Sequence, residues 1–133
     1  MGQTGVIERI LLLAEDVSFR QSLAEQIMAH LGIETVGVSR TLDATALFEE
    51  QKIDLILADI TFPDLDGGDV YKLMRFGNSQ TPAIIFVATD ADIETALSLG
   101  FGPEQCITKP FRLGLLLARI RSLSYEQDLM DHS

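Results

Sequence analysis

Acidic residues follow two apolar segments of the chain, and their chemistry suits a divalent cation. Glu15 and Asp16 come directly after the apolar run at 9–14, and Asp59 ends the apolar run at 54–59. If the two runs are neighbouring strands, three carboxylates meet at one edge, where their repulsion is costly unless a cation lies between them. Hard oxygen ligands favour Mg²⁺, which binds one or two carboxylates and keeps several waters. The alternative interpretation is that Glu15 and Asp16 cap the helix that follows.

Lys109 is expected at the same edge as these carboxylates. It follows a short predicted strand and precedes Pro110, which disfavours helical backbone at Lys109 and can begin the next helix. An ammonium held there can pair with Asp59 or with a phosphoryl group carried by Asp59. The alternative interpretation is a solvated lysine in a loop.

Three further aspartates follow Asp59, and we assign them no chemistry. Asp66 is predicted to be the N-cap of a helix at 68–76. Asp64 and Asp69 are predicted to be solvated, and Asp69 is favourable in the first turn of that helix. Of the four aspartates, Asp59 alone is a candidate for chemistry.

Apolar runs alternate with helical patterns along the whole chain. The predicted strands are 9–14, 34–38, 54–59, 83–88 and 105–108, and the predicted helices are 18–31, 42–51, 68–76, 92–100 and 111–123. The first helix carries an apolar stripe at every fourth residue from Phe19 to Leu31, with Ser18 as its N-cap and Gly32 as its stop. Such alternation predicts a parallel sheet covered by helices on both faces, with ligands bound outside the carboxyl ends of the strands.

Composition is that of a globular protein in a reducing compartment. The 133 residues suit a single domain, which we assign to 1–133, with a core at about 9–123 and short polar tails. The single cysteine excludes an internal disulfide. No apolar run is long enough to cross a membrane, and the formal net charge of −10 argues against direct binding of nucleic acid. We therefore expect a cytoplasmic location.

Three of these motifs, taken together, resemble a known family. The acidic pair Glu15-Asp16, the segment DITFPDLDG that begins at Asp59, and the KPF sequence that begins at Lys109 are similar to the motifs of CheY-like response regulator receiver domains of two-component signalling. The resemblance covers about residues 9–123. It implies a single receiver domain of the α/β class. Its fold would be a flavodoxin-like (βα)5 doubly wound sandwich with a parallel five-stranded sheet of order 2-1-3-4-5.

The resemblance also implies a chemistry for the site. Asp59 would accept a phosphoryl group from a phosphohistidine on a sensor histidine kinase or a histidine phosphotransfer protein. Mg²⁺ would be held by Asp16, Asp59 and the backbone carbonyl of Thr61, with Glu15 acting partly through water, and Lys109 would contact a phosphoryl oxygen. The expected activity is Mg²⁺-dependent self-phosphorylation and dephosphorylation, so the chain is expected to signal rather than to act as an enzyme.

Two positions depart from the family pattern, and both belong to the switch that reports phosphorylation. The family places Thr or Ser at the end of the fourth strand and an aromatic residue three positions before the lysine. Here those positions are Val87 and Cys106. The nearest hydroxyl is that of Thr89, which would have to replace the missing one. We therefore expect an atypical switch.

Two other functions remain open at this point. One is a pseudo-receiver, an interaction domain of the same fold that works without phosphorylation. The other is an aspartate-dependent phosphohydrolase, which would use Asp59 as its nucleophile. Such enzymes usually carry a second acid two residues later, where this chain has Thr61.

The last predicted helix has more apolar residues than one buried stripe requires, namely Phe111, Leu113, Leu115, Leu116, Leu117, Ile120 and Leu123. The excess predicts either a surface for a homodimer or a downstream protein, or a wide stripe that faces the core.

Overall fold

The computed structural model describes residues 6–62, 65, 71–72 and 81–132, with only the backbone described at 125–132. The strands are β1 (Arg9–Leu13), β2 (Glu34–Val38), β3 (Leu55–Asp59), β4 (Ala83–Val87) and β5 (Cys106–Thr108). They form one parallel sheet of order β2-β1-β3-β4-β5. The predicted sheet, its strand order and the five strand positions are confirmed.

The strand register brings the predicted chemical residues to one edge of the sheet. Leu13 of β1 pairs with Ala58 of β3, so the acidic pair begins just beyond the end of β3. Asp59 itself pairs with Phe86 of β4. β3 and β4 are buried along their whole length, which explains their continuous apolar sequences.

Four helices lie in the described part of the chain. They are α1 (Val17–Leu31), α2 (Thr41–Glu50), α3 (Asp90–Ser98) and α4 (Leu113–His132), and a 3₁₀ turn spans Pro103–Gln105. The helix predicted at 68–76 falls mostly outside the described residues, although Tyr71 and Lys72 are helical. Asp64, Asp66 and Asp69 also lie outside them, so their predicted roles stay predictions.

Capping residues correct two of the predicted helix starts. The N-cap of α1 is Asp16 and not Ser18, because Oδ1 of Asp16 accepts a hydrogen bond from the backbone N–H of Phe19 at 2.9 Å. α3 begins at Asp90 rather than at 92, because Thr89 is its N-cap. The predicted stop of α1 is confirmed, since Gly32 adopts the left-handed conformation with φ 68°.

The last helix differs from the prediction at both ends. α4 begins at Leu113 rather than near Phe111, and it continues to His132 rather than ending at Leu123. After Gly114 the sequence contains neither glycine nor proline up to that point, so nothing in the sequence stops the helical backbone. The polar C-terminal tail is therefore helical backbone as far as His132.

Among the described residues, the core consists of two apolar clusters, one on each face of the sheet. Most of the apolar residues predicted for the last helix belong to one of them: Leu116, Leu117 and Ile120 of α4 are buried, whereas Leu113 and Leu123 of α4 and Phe111, which precedes it, are partly buried. Leu115 is the exception, at 50% exposure. A core-facing stripe accounts for these residues apart from Leu115, and a partner surface on the last helix stays a prediction. No helix in the described part of the chain is long and apolar enough to cross a membrane.

Candidate functional site

Asp59 ends β3 at the carboxyl edge of the sheet, and its carboxylate is held on both oxygens. It is the one buried polar residue in the part of the chain that the structure describes, with 8% of its surface exposed. Oδ1 accepts hydrogen bonds from the backbone N–H of Thr61 at 3.0 Å and from its hydroxyl at 2.7 Å. Oδ2 forms an ion pair with the ammonium of Lys109. A buried charge is stable when it is paired and hydrogen-bonded in this way.

Opposing effects set the pKa of Asp59. Burial raises it, but the hydrogen bond from Lys109, the two hydrogen bonds from Thr61 and the charge of Lys109 together lower it more. The pKa of the carboxyl therefore lies below its ordinary value. Asp59 is ionised at neutral pH, which is the form that a carboxylate nucleophile requires.

Lys109 follows β5 and reaches the site from a distant part of the chain. Its ammonium contacts Asp59, and its backbone N–H donates to the carbonyl of Val87 at 2.7 Å. The ammonium also lies 5.1 Å from the centroid of the Phe19 ring. The Lys109–Pro110 peptide bond is cis. The structure thus brings Lys109 and Asp59 together and excludes the interpretation of Lys109 as a solvated loop residue.

The acidic pair lies beyond β1 on a loop that Arg20 holds in place. Asp16 caps α1, and Glu15 is exposed. Nη1 of Arg20 donates to the carbonyls of Ala14 at 2.7 Å and Glu15 at 3.0 Å. Gly37 of β2 leaves room for the Arg20 side chain, since a Cβ at that position would lie 3.1 Å from Cδ of Arg20. The capping interpretation is correct for Asp16, which keeps its second carboxylate oxygen for another partner.

The oxygen donors at this edge are of the kind that Mg²⁺ prefers, although they do not form a preassembled metal site. No group of three or more His, Cys, Asp or Glu side chains in the described part of the chain is arranged to hold a metal ion. Mg²⁺ does not require such a group, because it binds through one or two carboxylates and keeps several waters. Asp16 and Asp59 provide two carboxylates at one edge, and Glu15 adds a third.

No hydroxyl at the end of β4 makes a described contact with Asp59. Val87 is buried and has no donor in its side chain. The hydroxyl of Thr89 accepts a hydrogen bond from the backbone N–H of Asp92 at 3.0 Å. In return, Oδ2 of Asp92 accepts from the backbone N–H groups of Ala88 at 2.9 Å and Thr89 at 3.3 Å. Thr89 is therefore the N-cap of α3 in this structure.

Cys106 begins β5 and is half-buried. Its Sγ lies 3.8 Å from the carbonyl oxygen of Gly102. Burial raises the pKa of the Cys106 thiol, Glu104 raises it further, and Arg119 opposes both. The thiol is therefore protonated at neutral pH and is a weak nucleophile.

The sequence predicts no role at the site for three residues that lie near it. Phe19 was placed only in the apolar stripe of α1, and Arg20 and Asp92 were not singled out. Asp92 could have been found, because an acidic residue three positions after Thr89 is the pattern of a capping box. Arg20 could not, because its partners are backbone carbonyls that no sequence pattern identifies.

Comparison with known proteins places the chain in a family. Residues 10–121 match the family described as the response regulator receiver domain. The chain is 35% identical over 114 residues to the uncharacterized transcriptional regulatory protein YcbL of Bacillus subtilis (strain 168), an overlap of 84% of this chain and 49% of YcbL. It is 34% identical over 116 residues to the sensory transduction protein RegX3 of Mycolicibacterium smegmatis, an overlap of 85% and 49%. The chain thus spans about half the length of these relatives.

Solved structures agree with this placement. The Francisella response regulator 1452 receiver domain superimposes with a TM-score of 0.74 at 29% identity, covering 90% of this chain and 98% of that one. A CheY-like receiver domain protein from Methanospirillum hungatei JF-1 has the same fold, with a TM-score of 0.75 at 24% identity and coverage of 94% and 99%. The predicted flavodoxin-like fold is confirmed. The chain belongs to the response regulator receiver domains of two-component systems.

Proposed function

We propose that this receiver domain is a phosphoacceptor and that Asp59 carries the phosphoryl group. The observation that carries the proposal is the ion pair between Asp59 and Lys109 at the carboxyl edge of the sheet. A buried carboxylate at the end of an apolar strand costs free energy, and a cation beside it offsets that cost. The same cation suits a phosphoryl group mounted on Asp59, because it neutralises charge on the transferring oxygens.

In the proposed reaction, a carboxylate oxygen of Asp59 attacks the phosphorus of a phosphohistidine. The new P–O bond forms as the P–N bond breaks, and the imidazole nitrogen leaves with the bonding electrons and is protonated by solvent. The lowered pKa of Asp59 keeps the attacking group ionised. Lys109 moves its contact from the carboxylate to a phosphoryl oxygen.

The proposed metal is Mg²⁺. Asp16, Asp59 and the backbone carbonyl of Thr61 would hold it, with Glu15 acting partly through water. When bound, the ion neutralises negative charge on the phosphoryl group during transfer. Asp16 can take part without giving up its cap, because its second carboxylate oxygen stays available.

The proposed donor is a sensor histidine kinase or a histidine phosphotransfer protein, as expected for a response regulator of the kind that the relatives represent. The small molecule acetyl phosphate is proposed as a substitute donor, which makes self-phosphorylation testable without the partner. We further propose that residues 9–123 form the functional unit, that the chain acts in the cytoplasm, and that it does not bind nucleic acid directly. The formal net charge of −10 supports the last point.

The proposed switch is atypical. Val87 cannot donate a hydrogen bond to a phosphoryl oxygen, and the hydroxyl oxygen of Thr89 accepts from the backbone N–H of Asp92, which ties that side chain to the first turn of α3. A hydrogen bond to a charged group contributes roughly 1.5–3 kcal/mol, which is comparable to a typical allosteric coupling of about 1–3 kcal/mol. Without this hydrogen bond, phosphorylation shifts the equilibrium between inactive and active states much less. Cys106 has no ring that could turn inward and report the change.

The phosphoacceptor assignment is tested by intact mass after incubation with acetyl phosphate and Mg²⁺. The wild type should gain one phosphoryl group and Asp59→Asn should gain none. Asp54→Asn is the matched control, since Asp54 lies at the opposite end of β3 and accepts from the backbone N–H groups of Glu8 and Arg9. Labelling that survives in Asp59→Asn contradicts the assignment. An unlabelled wild type that also fails to bind beryllofluoride favours the pseudo-receiver. Sustained turnover of phosphate monoesters favours the phosphohydrolase.

The switch is tested separately by amide chemical shifts with and without beryllofluoride. In the wild type, we expect changes mainly at residues 87–92 and few at 104–115. Val87→Thr restores a hydroxyl at the end of β4 and should extend the changes into the second range. Large changes at 104–115 in the wild type that persist in Thr89→Ala would contradict the proposed decoupling.

A further inference from the structure

Three phenylalanine rings pack against one another, and one of them, Phe19, lies beside the ammonium of Lys109. The Phe86 and Phe111 rings are stacked, with centroids 5.1 Å apart and an angle of 8° between their planes. The Phe19 ring meets both of them edge-on, at 5.6 Å and 88° to Phe86 and at 6.3 Å and 87° to Phe111. Two perpendicular neighbours fix the plane of the Phe19 ring, because edge-to-face contacts are the favoured geometry of aromatic pairs.

The ammonium of Lys109 lies over the Phe19 ring, 5.1 Å from its centroid. This distance is within the roughly 6 Å at which an aromatic face attracts a cation. The same ammonium contacts Asp59, so it lies between a carboxylate and a ring. Since the lysine side chain has many rotamers and is 34% exposed, two fixed contacts restrict it far more than the ion pair alone.

Phe19 is also tied to the acidic pair through the backbone. Its N–H donates to Oδ1 of Asp16 at 2.9 Å, which places the ring in the first turn of α1. The ring is only partly buried and lines an open groove of about 310 Å³. Because the groove is open, burial stabilises the Phe19 ring less than it would stabilise a fully buried ring. The contact with Lys109 is therefore a larger part of the ring's interactions.

We propose that Phe19 is a positioning residue of the phosphoacceptor site, whose ring holds the ammonium of Lys109 in place beside Asp59. The inference rests on the proposed function, because a positioned ammonium speeds labelling only if it contacts the oxygens of a phosphoryl group transferred to Asp59. Phe19 does not touch the reacting atoms. It acts by limiting the positions that Lys109 adopts before the phosphoryl group arrives.

The experiment compares Phe19→Leu, Phe19→Tyr and the wild type. Leucine keeps an apolar side chain and removes the ring, whereas tyrosine keeps the ring. The rate of labelling by acetyl phosphate with Mg²⁺ should fall about two- to fivefold in Phe19→Leu, as the loss of a partly exposed cation–π contact implies. Phe19→Tyr should label at nearly the wild-type rate. A second readout needs no phosphate: the upfield NMR shift that the ring imposes on the ε-CH₂ protons of Lys109 should disappear in Phe19→Leu and persist in Phe19→Tyr.

Phe48→Leu is the matched control for lost packing, because Phe48 is partly buried against the core cluster on the other face of the sheet. It should lose stability without a change in labelling rate or in the Lys109 shift. Equal labelling of Phe19→Leu and Phe48→Leu, or a Lys109 shift that survives in Phe19→Leu, overturns the positioning role. Failure of the proposed function looks different, since the wild type and Phe48→Leu would then both stay unlabelled, and the positioning role would fall with it.

Discussion

Replacement of Lys109 by methionine removes the ammonium from Asp59 while most of the aliphatic side chain stays in place. Removing one partner of a fully buried ion pair costs about 3–5 kcal/mol, because the other charge is left uncompensated. Here the Lys109 side chain is 34% exposed, and Asp59 keeps both hydrogen bonds from Thr61. Because water and these bonds reduce the cost, we expect the free energy of unfolding to fall by about 1–3 kcal/mol at pH 7.

The pH dependence of this loss identifies its cause. The pKa of Asp59 is lowered in the folded wild type. Its ionisation therefore stabilises the fold above the pKa of the unfolded chain, about 4, and this stabilisation is lost as the pH falls through the folded-state pKa. Lys109→Met raises the folded-state pKa, since burial then opposes ionisation with less compensation. The difference in unfolding free energy between the two proteins should be complete at pH 7 and should shrink below about pH 5.

The assay is urea unfolding followed by far-ultraviolet circular dichroism at pH 7 and pH 4, since the chain has no tryptophan to report by fluorescence. Lys52→Met is the matched control, because its ammonium lies 3.9 Å from Asp54 with a side chain that is 71% exposed. This control should lose at most about 1 kcal/mol. The reasoning is refuted if both variants lose the same free energy, or if the loss in Lys109→Met does not change between the two pH values. In the second case, a change of packing at the site rather than the loss of the charge explains the lower stability.

Two capping residues yield further predictions. Asp16→Asn should keep the cap of α1, since asparagine caps as well as aspartate, yet weaken Mg²⁺ binding at least about tenfold in a titration. Unchanged Mg²⁺ affinity would mean that Asp16 is only a cap, and Asp16→Ala provides the comparison in which the cap is lost too. Thr89→Ala should lower the free energy of unfolding by about 0.5–2 kcal/mol in urea, because the N–H of Asp92 loses its acceptor. Thr89→Ser should restore it, and a destabilised Thr89→Ser would show that the methyl group matters instead.

The layers of the fold and the edge of the sheet that carries the chemistry follow from the sequence. Apolar runs that alternate with helical stripes predict buried parallel strands under helices, and a charge at the end of such a run is then expected at the edge of the sheet. The pattern identifies Asp59 and Lys109, because Asp59 ends a strand and Lys109 directly follows one. The absence of a hydroxyl at Val87 is likewise a matter of sequence alone.

The partners of these side chains depend on how the elements pack together. Asp16 or Ser18 could have capped α1, and the structure assigns the cap to Asp16, whose backbone is extended and whose side chain accepts from the N–H of Phe19. The apolar excess of α4 suited a surface or a core equally, and only its position against the sheet assigned Leu116 and Ile120 to the core. The contact between Phe19 and Lys109 joins residues far apart in sequence. No local pattern encodes that contact, because it depends on how α1 packs near β5 and on the ring planes that the neighbouring phenylalanines fix.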